Sequence, residues 1–119
     1  MKDFRNLKVR RVGHELTVDV YRLTAGFPRH ELYGLTSQIR RSSASIPANI
    51  AEGCGREGDP ELCRFLIIAR GSASELEYHL LLAQDRTFLS PERNAPLTNK
   101  VIEIKRMLTA LIKRLKADR

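Results

Sequence analysis

Five apolar residues near the C-terminal end, Val101, Ile104, Leu108, Leu111 and Leu115, recur at steps of three, four, three and four. That spacing brings side chains back to one face of an α-helix, and it is the seam along which helices pack side by side. The rhythm appears three more times. Val9, Val12, Leu16, Val20 and Leu23 form a first series, and Leu32, Leu35, Ile39, Ser43, Ile46 and Ile50 a second. Leu62, Phe65, Leu66, Ala69, Ala73, Leu76, Leu80 and Ala83 form a third. No run of β-branched residues alternates with polar ones, so strands are not expected.

Proline and glycine separate the series. Gly26-Phe27-Pro28 ends the first, because proline cannot continue a helix and disfavours helical geometry in the residue before it. The second stops in Gly53-Cys54-Gly55 and the Gly58-Asp59-Pro60 cluster. There Asp59 suits an N-cap and Pro60 the first helical position. Ser90 with Pro91 suits the start of a last helix, although Asn94-Ala95-Pro96 leaves that start either near Pro91 with a defect or after Pro96. Four helices of about 20 residues, each about 30 Å long, joined by short connections, predict an all-α fold: an antiparallel up-down-up-down four-helix bundle. At 119 residues the whole chain, 1–119, has the size of one domain.

Pro47 breaks the pattern locally, since it falls inside the second series. A proline in a helix interior costs about 3 kcal/mol and removes a backbone hydrogen bond. Either the second helix kinks there, or it stops and restarts with Ser45 as cap. The apolar spacing carries straight through from Ile46 to Ile50, which favours the kink.

With 42% apolar residues and no Trp, the core is expected to be mainly aliphatic. No apolar run approaches the roughly 20 residues of a membrane span. The charged opening Met1-Lys2-Asp3-Phe4-Arg5 leads into no apolar stretch, unlike a secretory signal. Cys54 and Cys63, nine apart, fit no metal or redox spacing and read as reduced thiols of a cytoplasmic protein.

Chemistry-bearing motifs are sparse. Ser42-Ser43-Ala44-Ser45 and Gly71-Ser72-Ala73-Ser74 are small-residue stretches that let helix backbones approach, with hydroxyls free to bond the preceding turn. A serine nucleophile needs a base and an oxyanion donor around it, and no Gly-x-Ser-x-Gly elbow occurs. Di-metal sites in bundles need Glu-x-x-His pairs, yet no Glu here is followed by His three residues later, and His14, His30 and His79 lie in separate segments. Glu75 and His79, four apart, read as a surface or interface pair. The sequence therefore points to no catalytic residue, metal ligand or cofactor.

Charge carries the main functional signal. The net charge is +7, and it is divided unevenly: residues 1–30 hold +4, residues 31–98 hold −2, and residues 99–119 hold +5. The first and last helices of an up-down bundle are neighbours, so their charges are expected to share a face. Lys8, Arg11 and Arg22 would join Lys105, Arg106, Lys113, Arg114 and Lys116 there. Such a stripe suits phosphates through counterion release. Without an aromatic platform or recognition-helix signature, binding to RNA or DNA is expected to be non-specific. A protein-binding scaffold, with charge serving only solubility and steering, is the rival expectation.

The segment from Gly34 to Gly53, containing Gln38-Ile39-Arg40-Arg41-Ser42-Ser43-Ala44-Ser45-Ile46-Pro47-Ala48-Asn49-Ile50-Ala51-Glu52, resembles a bacterial four-helix-bundle family named for the 23S ribosomal RNA intervening sequence. The likeness continues through Arg64-Phe65-Leu66-Ile67-Ile68-Ala69-Arg70 to Glu77. It also takes in Asp3-Phe4-Arg5-Asn6-Leu7-Lys8-Val9 and Tyr21-Arg22-Leu23-Thr24 with Phe27-Pro28, so it covers nearly the whole chain. Cys54, where an aromatic residue is expected, and Ala95-Pro96 depart from the pattern. The resemblance implies an antiparallel bundle assembled as a ring-like homopentamer with no enzyme activity. Some members lie within sequences that interrupt ribosomal RNA genes. A related branch, the accessory proteins of diversity-generating retroelements, pairs with a reverse transcriptase and nucleic acid. In such an oligomer Asn49, Glu52 and Glu75 become candidates for inter-subunit pairing with Arg40, Arg41 or Arg70.

Overall fold

A computed structural model describes residues 7–117. The opening Met1-Lys2-Asp3-Phe4-Arg5 and the Asp3-to-Asn6 part of the resemblance lie outside the described residues. Four helices follow one another: α1 Lys8–Thr24, α2 Leu35–Cys54, α3 Asp59–Asp85 and α4 Pro91–Ala117, with one 3-10 turn at Arg29–Glu31 before α2. Contacts between helices run round a square: α1 on α2, α2 on α3, α3 on α4, and α4 back on α1. The α2–α3 seam is the most extensive and the α1–α4 seam the least.

Cross-helix pairs give the direction of packing. Thr17 meets Ser43 and Thr24 meets Arg40 across α1 and α2. Ser45 meets Ser72 and Arg41 meets Glu75 across α2 and α3. Cys63 meets Ile112, Arg70 meets Thr109 and Glu77 meets Lys105 across α3 and α4. In every set, rising numbers on one helix meet falling numbers on the next, which is the antiparallel sense. The body measures 47 × 22 × 19 Å.

The third and fourth apolar series are buried in full, and they meet Leu16, Val20, Ile39, Ile46 and Ile50 in one aliphatic core. The second series differs at its first member. Leu32 lies outside the helix and is 45% exposed, because Pro28 starts the 3-10 turn and α2 does not begin until after Gly34. The start of α3 differs too. Its N-cap is Gly58, at φ +83°, a backbone conformation that favours glycine. Asp59 is thus the first helical residue, where its negative charge faces the positive end of the helix. At α4 the Ser90 hydroxyl accepts the Arg93 N–H at 3.2 Å, and the helix starts at Pro91 and continues through Pro96.

Pro47 sits inside an unbroken α2, so the reading in which the helix stops and restarts there is overturned. A proline at 47 leaves the Ser43 carbonyl without its usual N–H. The Thr17 hydroxyl of α1 lies 3.0 Å from that carbonyl and 3.0 Å from the Gly13 carbonyl of its own helix. The one hydroxyl proton is thus placed between the two carbonyls, within reach of the acceptor that α2 leaves open. The Pro47 ring also packs against α1 beside Gly13.

The small-residue stretches serve close packing. The Ser42 and Ser43 hydroxyls donate to the carbonyls of Gln38 and Arg40, and the Ser45 and Ser72 hydroxyls meet at 2.8 Å between α2 and α3. Beyond them a Cβ on Gly53 would lie 2.9 Å from the Phe65 Cβ, so α2 and α3 nearly touch there. Among the described residues no helix is long and apolar enough to cross a membrane.

Candidate nucleic-acid interface

The basic residues of α4 divide between its two flanks. At about 100° per residue, Lys105, Lys113 and Lys116 fall on the same side of the buried seam as Thr109. Thr109 receives a hydrogen bond from Arg70 of α3 at 3.2 Å, and the Lys105 ammonium pairs with the Glu77 carboxylate of α3 at 3.0 Å. That flank therefore faces α3. Arg106 lies further out on the same side, whereas Arg114 falls on the opposite flank, toward α1.

A similar count on α1 puts Lys8, Arg11 and Arg22 on the flank away from Thr17, the contact with α2. Glu15 and Asp19 share that flank, and Asp19 holds Arg22 at 3.8 Å. The eight basic residues expected to form one stripe thus occupy two surfaces. Lys8, Arg11, Arg22 and Arg114 belong to the α1–α4 side, interrupted by carboxylates. Lys105, Arg106, Lys113 and Lys116 belong to the α3–α4 side.

On the α3–α4 side the structure forms a groove of about 440 Å³, into which Arg70, Lys105, Arg106 and Lys113 bring four cations. Ile102, Thr109 and Ala110 line it as well, and among the described residues Glu77 is the sole carboxylate in its lining. The groove continues toward the start of α4 as a larger cavity of about 700 Å³, which shares Glu77 and Lys105 and adds Tyr78, Leu81, Asn94 and Thr98. Buried Asn94 fixes that wall: its amide donates to Gln84 at 2.8 Å and its oxygen accepts from Thr98 at 2.9 Å. Four cations lining one open groove suit a ligand that carries phosphates. Arg64 hydrogen-bonds Glu61 at 3.0 Å, which holds the Glu61 carboxyl below its ordinary value and raises Arg64.

The six candidates for inter-subunit pairing all make contacts inside the chain. Arg40 donates to Thr24 at 2.8 Å and lies over the Tyr21 ring. Arg41 contacts Gln38 and sits 3.8 Å from Glu75. Asn49 donates to the Ser45 carbonyl, Glu52 pairs with Arg56 at 3.0 Å, and Arg70 reaches Thr109. Sequence reasoning missed a different surface. Ile67, Gly71, Ser74, Tyr78 and Leu81 recur at four, three, four and three along the side of α3 opposite its buried seam. Ile67 is 40%, Tyr78 58% and Leu81 52% exposed. The spacing was legible as a second stripe on the same helix, of the kind that packs against another helix.

Relatives agree with this architecture. A solved structure of a protein of unknown function from the S23 ribosomal protein family of Bacteroides thetaiotaomicron superposes with a TM-score of 0.80. It is 28% identical, and the match covers 88% of this chain and 98% of that one. No curated protein matches the chain. The model of the 23S rRNA-intervening sequence proteins matches residues 5–110, and with that span the chain belongs to the 23S rRNA-intervening sequence protein family.

Proposed function

We propose that this protein is a non-enzymatic, cytoplasmic homo-oligomer that binds RNA or DNA without sequence preference, chiefly through the α3–α4 groove. The observation that carries the reading is the convergence of Arg70, Lys105, Arg106 and Lys113 on one open groove with a single carboxylate among the described residues. A cluster of this kind neutralises phosphates and releases counterions, which favours binding regardless of sequence. Repetition of the groove round a ring, a pentamer by family resemblance, multiplies weak contacts into avidity. The test is binding of nuclease-treated protein to labelled RNA and duplex DNA across a salt series. Binding whose logarithm falls steeply with the logarithm of salt is the expected result; no binding at low salt would refute the reading.

The apolar stripe on α3 supports the homo-oligomer and is also the feature that favours the second reading, a scaffold for another protein such as a reverse transcriptase. Light scattering separates them. The expected particle mass is a multiple of the 13.6 kDa chain. Tyr78→Asp with Leu81→Asp is expected to return it to a single chain while helicity is retained, because charges in such a seam must lose water to be buried. A wild-type protein that is already a 13.6 kDa monomer removes the homo-oligomer and leaves the scaffold.

A further inference from the structure

A second cationic site lies at the other side of the molecule, where the chain leaves α1 and enters α2. Thr24, Phe27, Arg29, Leu32, Thr36 and Arg40 line a cavity of about 220 Å³ there. Two arginines, Arg29 and Arg40, line it, and among the described residues no acidic residue does. Arg40 is half-buried, and its planar group is fixed twice: Nε donates to the Thr24 hydroxyl at 2.8 Å, and the guanidinium carbon lies 4.9 Å from the centre of the Tyr21 ring. Among the described residues neither Arg29 nor Arg40 has a carboxylate within ion-pair distance. The nearest acid in sequence, Glu31, turns instead to the backbone N–H of Leu35 at 3.1 Å and lines a different cavity.

The Thr36 side chain adds an independent observation. Its residue is 2% exposed, and its hydroxyl oxygen is buried with no hydrogen-bond partner. Buried hydroxyls are normally satisfied, and Arg40, held by Thr24 and Tyr21, has no carboxylate beside it among the described residues. Thr36 and Arg40 both line this cavity.

We propose that this cavity is a binding site for a phosphate monoester or free phosphate, with the oxyanion held between Arg29 and Arg40. Arg40, pre-set by Thr24 and Tyr21, presents its terminal N–H groups in the fork geometry that matches phosphate oxygens. Tyr21, 47% exposed under that guanidinium, offers a flat face beside the site for whatever carries the phosphate. The site is separate from the α3–α4 groove and does not depend on it.

The probes are inorganic phosphate and a 5′-phosphorylated dinucleotide, added at constant ionic strength to the full-length protein. The readout is the NMR shift of the Thr36 amide and of the Arg29 and Arg40 Nε–H signals. Saturable shifts are expected with inorganic phosphate. Arg40→Lys, which keeps the charge and loses the fork, is expected to weaken saturation by roughly tenfold, the scale of one charge-assisted hydrogen bond. Arg29→Gln, at an exposed position away from the core, serves as the variant whose folding is not in question. Tighter saturation by the dinucleotide assigns the site to strand ends, and equal saturation assigns it to free phosphate; either outcome supports the site. Shifts that do not saturate with either probe, or that persist unchanged in both variants, overturn it. Because the readout is local, failure here leaves the salt-series result for the groove standing, and the reverse also holds.

Discussion

Replacing the four groove cations Arg70, Lys105, Arg106 and Lys113 together by glutamine is expected to lower affinity for RNA and duplex DNA by roughly 10²- to 10³-fold at about 0.1 M salt. The logarithmic salt slope is expected to become shallower by about three to four, close to one unit for each phosphate no longer neutralised. The groove geometry divides that loss unequally. Arg106 and Lys113 enter the groove with no carboxylate in ion-pair range among the described residues, so their charge is available to a ligand. Lys105 is already held by Glu77 at 3.0 Å, so its removal leaves Glu77 as an uncompensated negative charge in the same groove. Glu77→Gln makes the opposite change, releasing Lys105 toward the ligand, and is expected to tighten binding. Anisotropy titrations over a salt series measure all of these. An unchanged slope in the quadruple variant, or weaker binding in Glu77→Gln, would move the nucleic acid off this face.

The division of the basic residues also marks the limit of what the sequence reveals. Apolar spacing predicts which face of each helix is buried, and in α3 and α4 every residue it selected is buried. Spacing within one helix does not tell on which side of that face the next helix stands, because that depends on the handedness of the bundle. Lys105 therefore reads equally well as a neighbour of α1 or of α3, and only the contact with Glu77 decides. Nor does sequence position reveal that Thr24 and Tyr21 hold Arg40 beside its own α1. Leu32 failed for a local reason, since Pro28 and Gly34 isolate it in a turn too short to carry the helical rhythm. The stripe Ile67, Gly71, Ser74, Tyr78 and Leu81 was present in the spacing but masked by the core series on the same helix. A helix apolar on two sides has to be read against both.

Pro47 provides the sharpest test of tertiary contacts compensating a local defect. Thr17→Val is expected to destabilise the protein by about 1–3 kcal/mol, because it leaves the Ser43 carbonyl between α1 and α2 without a donor. The loss corresponds to a fall in midpoint of several degrees for a domain of this size. Pro47→Ala restores an N–H at position 47, four residues after Ser43, so α2 closes its own hydrogen bond. It is expected to stabilise the helix, by less than the roughly 3 kcal/mol propensity difference, since the ring contacts beside Gly13 are lost and the unfolded chain gains freedom. In that background Thr17→Val should cost only the exchange of a partly buried hydroxyl for a methyl group. The double-mutant cycle isolates the compensation: a coupling of about 1 kcal/mol or more is the expected result from urea denaturation of the four proteins at one concentration. If Thr17→Val costs the same with alanine at 47 as with proline, the Thr17 hydroxyl is serving only the Gly13 carbonyl of its own helix, and the proline is accommodated by α2 alone.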